Sequence, residues 1–152
     1  MKKALYILFS FSGRIGRGDF WFGFWIVIMT GLLGTVVIQP DYFRYDIVSD
    51  SYPPPSLSVK IFDLIMIFPS FAITVKRLND RDWSRWVFFA LVLIWLPIYI
   101  GPFVDLFLEI GTGTSIEMIW WAIVIIVTIC LLVDNGFLRG TKGTNRYGND
   151  PL

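Results

Sequence analysis

The sequence predicts an all-α polytopic membrane protein, a bundle of four transmembrane helices preceded by a short N-terminal interfacial segment. Three observations predict it: an apolar composition, four long apolar stretches with polar breaks between them, and positive charge confined to alternate breaks. The chain has 152 residues, 55% of them hydrophobic and only 16% charged. A soluble domain carries about 25% charged residues, and one with this composition would expose apolar patches large enough to aggregate. Lipid removes that problem by replacing water as the solvent.

A helix crossing a bilayer needs about 20 mostly apolar residues. The stretches that qualify are about 20–39, 57–75, 86–108 and 116–133, within one membrane domain that ends in a tail over 134–152. The first has no internal charge, the second carries Lys60 and Asp63 near its start, and the third contains Pro97 and Pro102. The breaks are clear. Residues 40–55 hold several acids and the run Pro53-Pro54-Pro55, which a helix interior does not tolerate. Lys76 to Arg85 is highly charged, and Gly111 to Thr114 reads as a turn. Strict alternation of apolar and polar residues, the mark of a barrel strand, is absent. Ala4 to Phe11 follows Lys2-Lys3 but is short and has no small-residue cleavage pattern after it, so it reads as a segment lying at the membrane interface.

Charge sets the expected orientation. Of the 13 Lys and Arg residues, four precede the first stretch, four lie between the second and third, and three follow the fourth. Arg44 and Lys60 are the two left over. Positive residues stay on the cytoplasmic side, so an even number of crossings is expected, with both termini cytoplasmic in a bacterial inner membrane. Trp21, Trp25, Trp83, Trp86, Trp120 and Trp121 fall near the ends of the stretches, as an aromatic belt requires.

The same composition narrows the chemistry. One Cys and no His leave no disulfide framework and no usual zinc or haem ligand set, so neither metal nor cofactor is expected. Cys130 sits among apolar residues and reads as a small hydrophobe. A net charge of +1 gives no field for nucleic acid. No nucleophile stands beside a base, and the clustered acids Asp105, Glu109 and Glu117 lack a basic partner, so no catalytic residue and no enzymatic activity are expected. Gly140-Thr141-Lys142-Gly143-Thr144 lacks the Gly-Lys-Ser/Thr order and the following helix of a phosphate loop.

Three polar clusters map to the expected cytoplasmic face: Gly13 to Trp21, Lys76 to Trp86, and Gly140 to Pro151. Gly13, Arg14, Arg17, Phe20 and Trp21, then Arg77, Leu78, Asn79, Asp80 and Trp86, then Gly143, Asn145, Tyr147, Gly148, Asp150 and Pro151 carry a resemblance. In these residues, in this order, the whole chain resembles the family of inner-membrane proteins catalogued as domain of unknown function 805. The resemblance implies the membrane architecture and no established activity. Asn79 stands where that family often has His, which removes a titrating imidazole from this position.

Read as physics, the arginines Arg14, Arg17, Arg77 and Arg81 can either interlock with acids to close the bundle or hold an anionic lipid headgroup or phosphate, whose geometry the Arg fork matches. Asp80, Asn145, Tyr147 and Asp150 are expected to form the structural network, with the Gly-rich tail folding back to bring Asp150 to an arginine. Asp63 reads as the one acid inside the hydrocarbon; an intramembrane acid is a functional candidate, and a local pair with Lys60 is the simpler reading. Thr30, Gly31, Gly34 and Thr35 allow close helix approach, within the chain or between copies in a homo-oligomer. The expected function is a non-enzymatic scaffold or envelope-maintenance factor whose partners are the lipid bilayer and anionic headgroups; the alternative is a subunit of an oligomeric channel or transporter.

Overall fold

The computed structural model describes residues 2–46, 52–104 and 115–151. It contains five helices: α1 (Lys2–Phe9), α2 (Arg17–Ile38), α3 (Leu57–Asp80), α4 (Arg85–Val104) and α5 (Ser115–Gly136). Strands are absent among the described residues. Ser49, Asp50 and Ser51, the acids Asp105 and Glu109, and the Gly111 to Thr114 turn lie outside the described residues.

Three helices, Arg17–Ile38, Leu57–Asp80 and Glu117–Gly136, are long and apolar enough to cross a membrane, and α4 contributes a shorter apolar segment, Trp86–Gly101. Their outward faces show why the solvent must be lipid. Leu33, Val37, Ile65, Leu93, Ile119 and Ile126 are all exposed, and no aqueous fold would leave these side chains in water together. The chain is a helical membrane protein.

Each helix limit has a local cause. Ser56 caps α3, its side chain accepting from the Val59 amide at 3.4 Å. Gln39 ends α2 and reaches across to the start of α3, donating to the Pro54 carbonyl at 3.2 Å and accepting from the Ser56 amide at 2.8 Å. These bonds, together with the Tyr45–Tyr52 ring contact at 5.3 Å, anchor the described ends of the 41–55 loop. Within α3, Pro69 withholds one helix hydrogen bond, and the next hydroxyl, Ser70, donates to the Met66 carbonyl at 2.7 Å.

α3 is the central element. It packs against α1, α2, α4 and α5. Two glycines of α2 set its distance from α3. At Gly34 a methyl group would overlap the Phe62 ring, and at Gly23 it would lie 2.8 Å from Ile73 Cγ2 and 2.9 Å from Ile7 Cγ2. The small-residue spacing in α2 is therefore used inside the chain at Gly34. Gly31 has nothing within 4 Å of a built Cβ.

The N-terminal segment, expected to lie at the interface, is a helix that docks onto the bundle. Ile7 is fully buried and joins Ile15, Phe20 and Ile73 in the core. Lys76, also fully buried, donates to the Tyr6 and Ile7 carbonyls at 2.5 and 2.6 Å, capping the C-terminal half of α1 with a cation. Phe9 and Phe11 complete the seam against Phe68 of α3.

Candidate functional site: a buried arginine–aspartate knot

α3 runs five residues past the expected boundary at Val75, to Asp80. That last polar turn builds the site. Because the helix continues, Arg77 and Asp80 share a face one turn apart, and an ion pair joins Arg77 Nη1 to Asp80 Oδ2. The other carboxylate oxygen, Oδ1, accepts from Arg14 Nε at 3.0 Å and lies 2.9 Å from Arg14 Nη2. All three side chains are almost wholly excluded from solvent, at 1% exposure for each arginine and 3% for Asp80.

One carboxylate between two guanidiniums leaves an excess positive charge in a buried place. Backbone carbonyls meet it. Arg14 donates to the carbonyls of Thr141 at 2.6 Å, Gly143 at 2.6 Å and Gly148 at 3.2 Å. Arg77 donates to those of Asn135 at 2.6 Å, Leu138 at 2.5 Å and Ile15 at 3.4 Å. The Gly-Thr-Lys-Gly-Thr segment thus turns carbonyls toward a cation, the reverse of a phosphate loop, which turns amides toward an anion.

The tail is held to the end of α3 by a second set of bonds. The Asp80 carbonyl accepts from the Thr141 amide at 2.8 Å and from its hydroxyl at 2.9 Å. Asn145 donates to the Asn79 carbonyl at 2.9 Å, and the Asn79 amide group donates to the Gly13 carbonyl at 3.0 Å. The position that lacks an imidazole is therefore a hydrogen-bonding strut. Tyr147 donates its hydroxyl proton to the Trp83 carbonyl at 2.7 Å, and Arg146 pairs with Asp82 at 3.0 Å. Asp82 itself sits at φ 57, in the left-handed region, and the Trp83 amide reaches back to the Leu78 carbonyl at 3.0 Å, which closes the helix end. At Gly140 any side chain would overlap the Asp80 carboxylate, so the tail can pass the knot here only with a glycine.

The expected site residues separate into two groups. The structure brings Arg14, Arg77 and Asp80 into contact and lays Asn145 and Tyr147 over them. Asp150 accepts from the Gly143 amide at 2.8 Å and closes the tail on itself; the acid that bridges arginines is Asp80. Arg14 and Arg77, expected among the anion-binding groups, are buried, and the bonds they make are to Asp80 and to backbone carbonyls of the protein itself. Arg81 pairs with Asp134 at 3.2 Å and bonds the Arg139 carbonyl, tying α3 to the end of α5. Arg17 remains exposed, touching the chain at the Phe137 carbonyl at 3.2 Å. Arg17, Arg139 and Asp150, with Arg77 and Asp80 of the knot itself, line an open cleft of about 250 Å3.

Sequence reasoning missed Lys76, Asp134, Asn135, Gly140 and Thr141. Asn135 and Thr141 act through backbone atoms, which every residue carries, so residue type gave no signal there. At the rim, Lys3 pairs with Asp19 at 2.8 Å. Burial, and behind it the Asp19 carboxylate, push the Tyr6 phenol above its ordinary value, which keeps it a donor to the Ser12 carbonyl at 3.1 Å. A cluster of three or more His, Cys, Asp or Glu side chains suited to a metal is absent among the described residues.

The comparisons agree with this architecture. Residues 8–149 match the family described as "Protein of unknown function (DUF805)". The chain is similar to the "Uncharacterized protein YiiR" of Escherichia coli (strain K12), at 29% identity over 94% of this chain and 86% of that protein. It is similar to two proteins of the same strain described as inner membrane proteins. YhaI is 25% identical over 93% of this chain and 86% of that protein, and YhaH is 23% identical over 98% and 93%. No solved structure matches the chain. With three ordered polar clusters folded into one knot at the end of an apolar bundle, and a family match across nearly its whole length, the chain belongs to the DUF805 family of proteins of unknown function.

Proposed function

We propose that this protein is a non-enzymatic scaffold of the inner membrane, crossing it four times with both termini on the cytoplasmic side. The knot is its clamp, and the basic rim outside the knot is its contact with anionic lipid headgroups. One observation carries the reading: two arginines are consumed by internal partners while Arg17 and Arg139 stay exposed on the same surface. A clamp explains the buried cations, and a headgroup contact explains the exposed ones, each worth about 1 kcal/mol near an anionic surface. The distribution of Lys and Arg supports the orientation.

The experiment has two arms. A reporter fused after Leu152 should read cytoplasmic, and in a Cys130→Ala background cysteines at Ser49 or Thr112 should react with an impermeant maleimide from outside. Phosphatidylglycerol should raise the thermal midpoint of the purified protein, and the Arg17→Ala/Arg139→Ala variant should lose most of that rise. An external C-terminus, or a rise that survives the double substitution, overturns the corresponding half of the proposal.

A further inference from the structure

The cleft beside the knot gathers three arginines around one space. Arg77 reaches it from α3, Arg17 from the start of α2, and Arg139 from the segment after α5. Arg77 is engaged with Asp80 and with backbone carbonyls. The other two are open. Arg17 gives one bond, to the Phe137 carbonyl at 3.2 Å, and its fork has donors to spare. The exposed Arg139 side chain enters neither a hydrogen bond nor an ion pair among the described residues. The backbone that carries it is pinned. The carbonyls of Phe137, Leu138 and Arg139 are taken in turn by Arg17, Arg77 and Arg81.

The charge here is unbalanced. Arg14 and Arg77 share the one carboxylate of Asp80. Asp150 also lines the cleft, its Oδ2 accepting from the Gly143 amide at 2.8 Å. Arg14, Arg17, Arg77 and Arg139 against Asp80 and Asp150 leave an excess of two positive charges among these side chains. Size describes the occupant as well. A water molecule takes about 30 Å3 of the liquid, so a cleft of about 250 Å3 admits a compact group of several heavy atoms and no acyl chain. One guanidinium fork takes up two oxygens of an anion. A carboxylate or a phosphodiester has two such oxygens, so either is spent on one arginine. A phosphomonoester has three, with nearly two charges at neutral pH. We propose that this cleft binds one phosphomonoester, its oxygens shared between Arg17 and Arg139. This names what the basic rim selects, and so rests on the headgroup contact proposed above. The ester can come from a lipid whose headgroup is a bare phosphate or from a soluble phosphate ester, and its chemistry at the cleft is the same.

The test measures lipid retained by the whole purified protein in native mass spectrometry, with phosphatidic acid, a monoester, and phosphatidylglycerol, a diester, offered separately. Phosphatidic acid should be held about tenfold more tightly, the effect of one further charge-assisted hydrogen-bonded contact. Arg139→Ala should bring the two lipids level, with the lipid-free thermal midpoint unchanged because that side chain holds nothing in the chain. Should Arg139→Ala melt lower, Arg139→Lys replaces it; the charge stays, the fork goes, and the difference should shrink. Glycerol 3-phosphate is then offered as a competitor, against a chloride control of equal ionic strength. Displacement of phosphatidic acid means that the cleft takes soluble esters too, and no displacement means that it takes the lipid ester alone; the preference for a monoester stands either way. A preference for phosphatidic acid that persists undiminished in these variants overturns the assignment to this cleft. Equal retention of the two lipids by the unaltered protein overturns the monoester. Where that equal retention still falls in Arg17→Ala/Arg139→Ala, the basic rim stands; where it does not, both readings fall.

Discussion

Among the described residues, Asp80 is the acid that forms ion pairs with both buried guanidiniums. Removing one partner of a buried ion pair leaves an uncompensated charge and costs about 3–5 kcal/mol, far more than the pair itself contributes against an apolar replacement. Asp80→Ala should therefore lower thermal stability in detergent by about that amount. Arg81→Ala, which breaks a partly exposed pair with Asp134, should cost about 1 kcal/mol or less. Arg77→Ala combined with Asp80→Ala should cost less than the two single losses together, because Asp80→Ala strands the Arg77 charge and Arg77→Ala removes it. Additive losses would mean that Arg77 and Asp80 contribute separately. Arg77 and Asp80 were legible as a pair from their spacing of three. Arg14 as the second partner was not, since it lies 66 residues away from Asp80.

At the scale of the element, α2 shows how closely placed glycines can play opposite parts. Gly34 stands against the Phe62 ring, while Gly31 faces open space. Gly34→Ala should overpack the α2–α3 seam and destabilise by about 1–3 kcal/mol. Gly31→Ala meets no atom and removes the helix cost of glycine, so it should be neutral or stabilising by up to about 1 kcal/mol. Thermal melts of the two variants side by side check this, and equal effects would mean that the seam is looser than its geometry. The spacing of small residues marked this stripe in the sequence. Which member of it touches α3 depends on the rotation of α2 about its own axis, which packing against Ile73 and Phe62 sets.

For the molecule as a whole, the tail is a structural part. Thr141, Gly143 and Gly148 supply three of the carbonyls around Arg14, and Asn145 and Tyr147 reach α3 and the turn after it. A chain ending at Leu138 would leave Arg14 without those carbonyls. Such a truncation should insert into the membrane, since its apolar helices are intact, yet melt well below the full chain and be cut faster by a protease added to the face that carries the knot. A truncated protein as stable as the full one would show that Asp80 alone neutralises the knot. The charge pattern predicted that all three polar clusters share one face, and the knot brings them into contact there.

What the sequence by itself determined is local and periodic. Runs of apolar residues mark out α2, α3, α4 and α5, because the length of such a run is set by the bilayer and not by any neighbour, and the expected end of the third run, 105–108, lies outside the described residues. Ordered polar clusters marked the family, and the limits of α3 were off only at its polar end, where charged residues read as a loop. Tertiary structure alone decided that α3 continues through Lys76 to Asp80, that Lys76 caps α1, and that carbonyls of the tail surround Arg14. The physical reason is the same in each case. These contacts are made by backbone carbonyls, which are identical at every position along the chain, so only the path of the folded backbone selects the few that meet a buried cation.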